Sequence, residues 1–237
     1  MNLKKNNITV HNDSIENMLT NCREIYKSCE DSHPLYWEYK GIENRKMVFE
    51  GNLLQRDINV HYMNTFINII RGYSPRYILE AGVGYGRVIR FLRDNLSFIE
   101  YFAGSDISSS QIQTARNLEL ELQNNGKNIH YIVADTCKLP YPENQFDLVY
   151  TYGSLMHISP SSIEDAIREL LRVTKKNLII CEANSEESAQ KSKNSYVHPY
   201  IELAQNYGAT LEKLIEENIE REYLNYKIYV FIKNNQT

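Results

Sequence analysis

The stretch Tyr77-Ile-Leu-Glu-Ala-Gly-Val-Gly-Tyr-Gly86 decides the fold of this chain. It is an apolar run that ends in an acid, Glu80, and continues with three glycines at alternate positions. Because glycine has no side chain, it lets the backbone turn with a positive φ and approach a bulky ligand closely. Apolar residues then recur at helical spacing from Tyr85 to Asn95, which predicts a helix after the glycines. The stretch therefore predicts a strand, a tight turn that faces a ligand, and a helix.

The spacing of the glycines separates two kinds of nucleotide pocket. A dinucleotide-binding loop has the pattern Gly-x-Gly-x-x-Gly, whereas here the third glycine comes one residue early, at Gly86. The acid before the first glycine suits a cationic ligand better than a pyrophosphate. The segment Glu80-Ala-Gly-Val-Gly-Tyr-Gly86 resembles, residue by residue, the first motif of class I S-adenosylmethionine-dependent methyltransferases. This resemblance implies S-adenosylmethionine as the cofactor, with contacts from Glu80, Gly82, Gly84 and Gly86.

Two further acids follow predicted strands. The strand-like run Phe98–Asp106 ends twenty residues after Gly86, where nucleotide-binding folds place a carboxylate on ribose hydroxyls. A third predicted strand, Ile129–Ala134, is followed by Asp135. The resemblance implies that Asp106 contacts the ribose and that Asp135 accepts the adenine amino group, with a backbone N–H nearby on the ring. The remaining predicted cofactor residues are Ile107, Thr136, Cys137 and Tyr152.

The segment Leu139–Ile158 resembles the corresponding part of small-molecule methyltransferases. It contains a Pro-rich turn, then Phe146-Asp147, a strand, and the pattern Leu-x-His-Ile. We interpret Phe146 as core and Asp147 as the anchor of the turn. The strand is expected to end near Tyr152, where the resemblance puts the sulfonium. His157, which titrates near neutrality, is the candidate catalytic residue; the alternative is that it fixes the pocket wall through loop backbone.

Two segments are predicted to contact the acceptor. The first is a helical cap, residues 1–72, with amphipathic helices at about Ser14–Ser28 and Asn59–Arg71; residues 73–237 form the Rossmann-like methyltransferase domain. The second is the polar stretch 184–194 with the aromatic cluster that follows it. The alternative for the aromatic residues of the cap is that they only dock it onto the sheet. The acceptor candidates are Tyr36, Trp37, Tyr39, Arg45, Tyr196 and His198.

The remaining pattern completes an α/β fold. An antiparallel last strand is typical of methyltransferases, whereas dinucleotide-binding sheets are parallel throughout. We therefore predict a doubly wound seven-stranded mixed sheet with helices on both faces, a ligand at the carboxyl ends of the strands, and the N-terminal helical cap. The other predicted elements are a helix that begins at a Ser108–Gln111 capping box, a helix at Ile163–Val173, a strand at Asn177–Ala183, and a final hairpin of about Thr210–Glu216 and Glu222–Lys233.

Composition and charge restrict the kinds of molecule that this protein is expected to bind. The 237 residues suffice for one full α/β domain with a helical extension, and 42% apolar with 24% charged residues is ordinary for a globular protein. A net charge of −4 disfavours a nucleic-acid substrate. We expect no membrane segment and no signal peptide, hence a cytoplasmic location. The four cysteines lack a Cys-x-x-Cys spacing, so we expect reduced thiols and no metal site; the oligomeric state stays open.

The sequence thus predicts transfer of a methyl group from S-adenosylmethionine to a small-molecule acceptor by in-line displacement. The acceptor would be an N or O nucleophile, such as a sugar or another metabolite. One alternative is a non-catalytic protein that binds S-adenosylmethionine, because fold does not fix function. A second is an NAD-dependent dehydrogenase, which would share the glycine turn and the ribose acid but gives no reason for Ala134-Asp135 or for the closing hairpin.

Overall fold

The structure is a computed structural model that describes residues 36–42, 60–121, 127–183, 195–216 and 226–234. The predicted helix at Ser14–Ser28, the candidate Arg45 and the stretch 184–194 lie outside these ranges. Among the described residues, no helix is both long and apolar enough to cross a membrane.

Helices and strands alternate along most of the described chain. Residues 36–42 are helical and form α1. The later helices are α2 (Val60–Tyr73), α3 (Arg87–Asn95), α4 (Ser109–Glu121), α5 (Ile163–Val173) and α6 (Tyr200–Asn206), with a 3₁₀ turn at Leu155–His157. The strands are β1 (Tyr77–Ala81), β2 (Tyr101–Asp106), β3 (Ile129–Val133), β4 (Phe146–Tyr152), β5 (Thr174–Ala183), β6 (Ala209–Glu216) and β7 (Tyr226–Lys233).

The seven strands form one mixed sheet in the order β3-β2-β1-β4-β5-β7-β6. Strand β7 is antiparallel to both of its neighbours, whereas β1 to β5 pair in parallel. The predicted seven-stranded mixed sheet with an antiparallel last strand is therefore confirmed. The chain order reverses between β1 and β4, and a sheet of this kind holds its ligand in the crevice outside the carboxyl ends of the strands at such a point.

Alternate residues of each strand point to opposite faces of the sheet, and helices cover both faces. In β1, Ile78 packs into a core cluster with α2, α3 and α4, whereas Leu79 packs into a second cluster with α5 and α6. In α2, Phe66 and Ile70 are fully buried in the first of these clusters. Helix α2 is thus part of the cover of the sheet, and the predicted boundary at residue 72 stays a prediction.

The amino end of β4 has the structural role that its sequence indicates. Phe146 is fully buried in the second core cluster. The Asp147 carboxylate accepts the backbone N–H groups of Arg76 and Tyr77 at 2.9 and 3.2 Å. Asp147 therefore connects the start of β4 to the start of β1. This contact lies at the amino ends of the strands, opposite the predicted ligand site.

Candidate active site

The glycine loop lies at the carboxyl end of β1, and its three glycines have φ values of 77°, 54° and 80°. A Cβ on Gly82 would lie 2.3 Å from the Cβ of Ser154, and one on Gly86 would lie 2.5 Å from the hydroxyl of Tyr131. At Gly84 no atom lies within 4 Å of the added Cβ. Gly82 and Gly86 are therefore required by packing, whereas Gly84 faces open space that can admit a ligand.

Glu80 lies beneath this loop and is 2% exposed. Its carboxylate accepts the Tyr150 hydroxyl at 2.8 Å and the backbone N–H of Ile89 in the first turn of α3. Burial raises the pKa of Glu80 to about 8, although the Tyr150 bond and the charge of Arg87 act in the opposite direction. A cationic ligand above the loop would favour the ionised carboxylate.

Asp106 lies at the carboxyl end of β2, next to the glycine loop. Its two carboxylate oxygens accept the N–H groups of Gly84 at 2.8 Å and of Ser108 at 2.9 Å. Burial raises the pKa of Asp106, these two bonds lower it, and the nearby charge of Glu38 raises it further. The carboxylate thus holds the loop to the end of β2, and Ile107, the next residue, is half-buried.

Asp135 lies at the same edge of the sheet, because Ala134 donates its N–H to the carbonyl of Asp106 at 2.9 Å. Asp135 is exposed and Thr136 is half-buried. The N–H of Cys137, predicted to meet the adenine ring, is donated to the Asp135 carboxylate at 2.9 Å. A hydrogen bond from this N–H to an adenine would have to share or replace that contact.

The capping box predicted for α4 forms only in part. Ser108 accepts the N–H of Gln111 at 3.2 Å, but its own N–H goes to Asp106. The Gln111 side-chain oxygen is buried and has no hydrogen-bond partner among the described residues. Asp106 thus replaces Gln111 as the acceptor of the Ser108 N–H, and Glu38, in α1, accepts the N–H of Ser109 and, at 3.0 Å, that of Ser110. Sequence reasoning missed Glu38, since no local pattern connects it to α4.

Aromatic rings surround the carboxyl end of β4. Tyr152 stacks on Tyr226 with ring centroids 5.5 Å apart, and the guanidinium of Arg87 lies 5.7 Å from the Tyr152 ring. Gly153 has a φ of 66°, and a Cβ there would lie 3.0 Å from the Tyr226 hydroxyl. Tyr226 and Arg87 were not among the predicted site residues, and both reach the site from elements other than β4.

His157 ends the 3₁₀ turn that follows β4, and it meets the N-terminal aromatics. Its ring lies 4.7 Å from that of Trp37, which in turn contacts Tyr36 at 4.8 Å. The His157 Nδ1 lies 3.5 Å from the hydroxyl of Ser195. The structure thus brings Tyr36 and Trp37 to the candidate catalytic residue, whereas Tyr39 is buried, with 5% exposure.

The segment 195–200 holds the same turn from the other side. The N–H of Tyr196 is donated to the Met156 carbonyl at 2.7 Å. His198 is 3% exposed, and its Nε2 lies 3.0 Å from the Ile158 carbonyl. Burial lowers the pKa of His198. This arrangement gives His198 a structural contact in the wall of the site, while its predicted contact with an acceptor stays a prediction.

A second buried acid, Glu182 in β5, was missed by the sequence analysis. It is fully buried, and it accepts the N–H groups of Ser154 and Leu155 at 3.1 Å each and that of Met156 at 3.2 Å. Burial raises its pKa to about 7, against the effect of these donors. Glu182 lies inside the predicted strand Asn177–Ala183 and belongs to no motif, so the sequence did not indicate a special role for it.

The donor set does not form a metal centre. Within the described ranges, no group of three or more His, Cys, Asp or Glu side chains could hold a metal ion. The site instead contains a glycine with open space at its Cβ position, carboxylates at two strand ends and a set of aromatic rings. These groups fit a cation that carries a nucleoside, because Gly84 leaves room for it and the carboxylates can accept its hydroxyl and amino donors.

Comparison with known proteins shows what this part of the chain is similar to. Residues 78–177 match the family described as "Methyltransferase domain". The ubiquinone/menaquinone biosynthesis C-methyltransferase UbiE of Pseudomonas savastanoi pv. phaseolicola is 34% identical over 98 residues, which cover 41% of this chain and 37% of the relative. Cycloartenol-C-24-methyltransferase of Arabidopsis thaliana is 25% identical over 169 residues, 70% of this chain and 48% of the relative. The matched part is therefore less than half the length of each relative.

Solved structures share the fold. Magnesium protoporphyrin IX methyltransferase from Synechocystis PCC 6803 with bound SAH has a TM-score of 0.63 at 18% identity, over 77% of this chain and 88% of that one. The [4+2]-cyclase SpnF has a TM-score of 0.59 at 16% identity, over 73% and 82% of the two chains. At these identities the likeness shows the fold alone.

Proposed function

We propose that this chain is an S-adenosylmethionine-dependent methyltransferase that transfers the cofactor methyl group to a ring-bearing small molecule. The match of residues 78–177 to the family described as "Methyltransferase domain" and the likeness to the curated C-methyltransferase support this proposal. The observation that carries the proposal is the arrangement at the switch point of the sheet. There an open glycine loop and the Asp106 carboxylate lie next to a group of aromatic rings at the end of β4.

The cofactor half of the site is assigned as follows. Gly84 leaves space for the ligand, and Asp106 accepts hydrogen bonds from the ribose hydroxyls while it keeps the loop in place. Asp135 accepts the adenine amino group, and Tyr152 borders the sulfonium. Glu80 lies beneath the loop, and a bound cation would favour its ionised carboxylate, which suits a cationic ligand better than a pyrophosphate.

The acceptor half favours a planar ring. Trp37 and His157 form one aromatic wall, and Tyr152 with Tyr226 forms another near the end of β4. Aromatic side chains contribute large apolar area and stack on flat ligands. Two relatives are named as C-methyltransferases, so we propose a carbon of a hydroxylated ring as the methylated atom. The N or O acceptor, such as a sugar, expected from the sequence is the alternative.

The chain's own residues would position and activate the acceptor. When bound, S-adenosylmethionine supplies an activated methyl group, so the protein needs mainly to align the nucleophile and exclude water; alignment of this kind is worth about 7 to 11 kcal/mol in favourable cases. His157 would accept the proton of a ring hydroxyl, which makes the ring more nucleophilic. Trp37 would cover the ring and keep water away.

Product analysis tests the proposal. The protein is incubated with deuterium-labelled methyl donor and with hydroquinones, phenols, amines and sugars, and S-adenosylhomocysteine and labelled products are measured. We expect a labelled hydroquinone or phenol whose methyl group NMR places on carbon, and no product from Asp106→Ala.

Each other outcome selects an alternative. A labelled amine or sugar would favour the N or O acceptor. Binding of the cofactor without formation of S-adenosylhomocysteine would favour a non-catalytic protein or another reaction; the [4+2]-cyclase SpnF, which shares the fold, is named for a different reaction. The cytoplasmic location is likewise a proposal, which fractionation of expressing cells tests.

A further inference from the structure

We propose that Glu182 is a positioning residue for methyl transfer, which fixes the loop between β4 and α5 on which His157 lies. We call residues 153–158 the β4 loop. The inference rests on the proposed function, because the reaction is what the loop would position. Glu182 itself is fully buried and would not touch the acceptor.

Four consecutive backbone N–H groups of the β4 loop donate hydrogen bonds to the carboxyl end of β5. Gly153 donates its N–H to the carbonyl of Cys181 at 2.8 Å. The next three N–H groups, those of residues 154–156, all go to the carboxylate of Glu182 at 3.1 to 3.2 Å. The first N–H groups of a helical turn have no partner within the turn, so a carboxylate that takes them fixes where the turn begins.

The loop in turn touches both halves of the site. Ser154 donates its hydroxyl to the carbonyl of Ala81 at 3.1 Å, and its Cβ occupies the space that a side chain on Gly82 would need. At the other end of the turn, His157 contacts the ring of Trp37. A shift of the turn would therefore move His157 relative to the glycine loop.

The far side of the loop has anchors of its own. Tyr196 bonds the Met156 carbonyl, and His198 contacts the Ile158 carbonyl. These contacts do not involve Glu182, so a variant at Glu182 leaves the loop attached on one side. We expect the loop of such a variant to shift and loosen rather than unfold.

Two variants separate the contacts. Glu182→Gln keeps an acceptor for Ser154 and Leu155, both of which bond Oε1, but it places an amide donor where Oε2 accepts the N–H of Met156. Glu182→Ala removes all three bonds. Asp147→Asn is the matched control, because Asp147 is also a strand carboxylate that takes two backbone N–H groups, at the opposite edge of the sheet.

The experiment measures kcat, the Kd of S-adenosylmethionine by calorimetry and the Tm for all four proteins, with kcat expressed per cofactor-binding molecule. We expect kcat to fall about tenfold in Glu182→Gln and about 100-fold in Glu182→Ala, since misplacement by about 1 Å can cost that much. The Kd should change less than kcat does. Asp147→Asn should lose Tm but keep its kcat.

A purely structural Glu182 would give a different pattern. If the Glu182 variants lose Tm as Asp147→Asn does while kcat per binding molecule stays at the wild-type value, the proposal is overturned. Wild-type turnover tests the proposed function separately. If the wild type forms no S-adenosylhomocysteine, the proposed function fails, and amide exchange of residues 153–157 tests the loop separately: faster exchange in Glu182→Gln than in Asp147→Asn shows that Glu182 fixes the β4 loop, and equal exchange refutes that as well.

Discussion

Three glycines of the same loop share a positive φ but have different surroundings. Gly82 is held against Ser154 and Gly86 against Tyr131, so a side chain at either position would meet protein atoms. Gly84 has no atom within 4 Å of its missing Cβ, and its N–H is donated to Asp106. At the scale of the residue, Gly84 is therefore the position where a substitution reports on the ligand rather than on packing.

The first prediction compares Gly84→Ala with Gly208→Ala. Gly208, in the turn after α6, also has a positive φ, 78°, and open space at its Cβ. Both variants should lose stability to backbone strain, by about 1 kcal/mol or more. Only Gly84→Ala should weaken binding of S-adenosylmethionine, by about tenfold or more, because its methyl group enters ligand space. Calorimetric titration and urea unfolding measure the two effects; unchanged affinity in Gly84→Ala would refute the loop assignment.

The second prediction concerns the ring of His157. As a general base it would contribute about 10²- to 10⁴-fold, so His157→Ala should lower kcat by that factor with little change in cofactor affinity. His130, on β3, stacks on Tyr101 instead, and His130→Ala is the control that should keep its kcat. Steady-state kinetics across pH 5.5 to 8.5 would show a lost acidic limb in His157→Ala. Near-normal turnover of this variant would assign His157 to the wall of the pocket.

At the scale of elements, the site depends on how α1 meets α4. A Cβ on Gly41 would lie 2.1 Å from the Ser110 hydroxyl, so α1 approaches the start of α4 closely. Glu38 accepts two N–H groups there, and the Ser110 hydroxyl donates to the Glu38 carbonyl at 3.0 Å. The docking of α1 is what places Trp37 against His157.

The third prediction is that Glu38 keeps α1 in place. Loss of a helix cap costs about 1 kcal/mol, which corresponds to a roughly fivefold change in an opening equilibrium. In Glu38→Ala the amides of residues 36–42 should therefore exchange about fivefold faster, and KM for the acceptor should rise. Glu38→Gln, which retains one acceptor oxygen, should lie between this variant and the wild type. Exchange rates that match the wild type in Glu38→Ala would show that other contacts hold α1.

The elements themselves could be predicted because their signals are local. Glycine spacing, strand-end acids and apolar periodicity predicted the succession of strands and helices along the chain, whereas the cofactor contacts stay a prediction. The contacts that build the acceptor half join distant parts of the chain. Glu38 reaches Ser109 across 71 positions, and Glu182 reaches Leu155 across 27. Such contacts become visible only when the order of the strands is known, so Glu38, Glu182 and Tyr226 escaped prediction.

At the scale of the whole molecule, two buried glutamates flank the crevice. Glu80 lies in β1 and Glu182 in β5, and β4 lies between these strands. Both carboxyls take part in hydrogen bonds that shape loops, Glu80 at the start of α3 and Glu182 at the β4 loop. Burying a carboxylate is costly unless its charge is compensated, so the protonation of this pair should affect the stability of the entire sheet.

The last prediction gives the sign of that effect. Burial raises the pKa of Glu80 to about 8 and that of Glu182 to about 7, from an ordinary value of 4.5. The folded protein then retains protons that the unfolded chain has lost, so the stabilisation is complete below about pH 4.5 and disappears as pH rises through each folded pKa. Burial lowers the pKa of His198 from its ordinary value of 6.5. This histidine makes the stability rise with pH, the opposite of the two glutamates, but only at pH values below about 6.5.

Between pH 6.5 and 8.5 the free energy of unfolding should therefore fall, by at most about 1.4 kcal/mol per pH unit for each carboxyl. Urea unfolding across this range measures the slope, and Glu182→Gln should flatten its lower part while Glu80→Gln flattens its upper part. A flat curve in the wild type would mean that both carboxylates are already ionised in the fold. In that case the backbone N–H groups and the Tyr150 hydroxyl compensate the charge despite burial, and the crevice carries two negative charges toward a cationic cofactor.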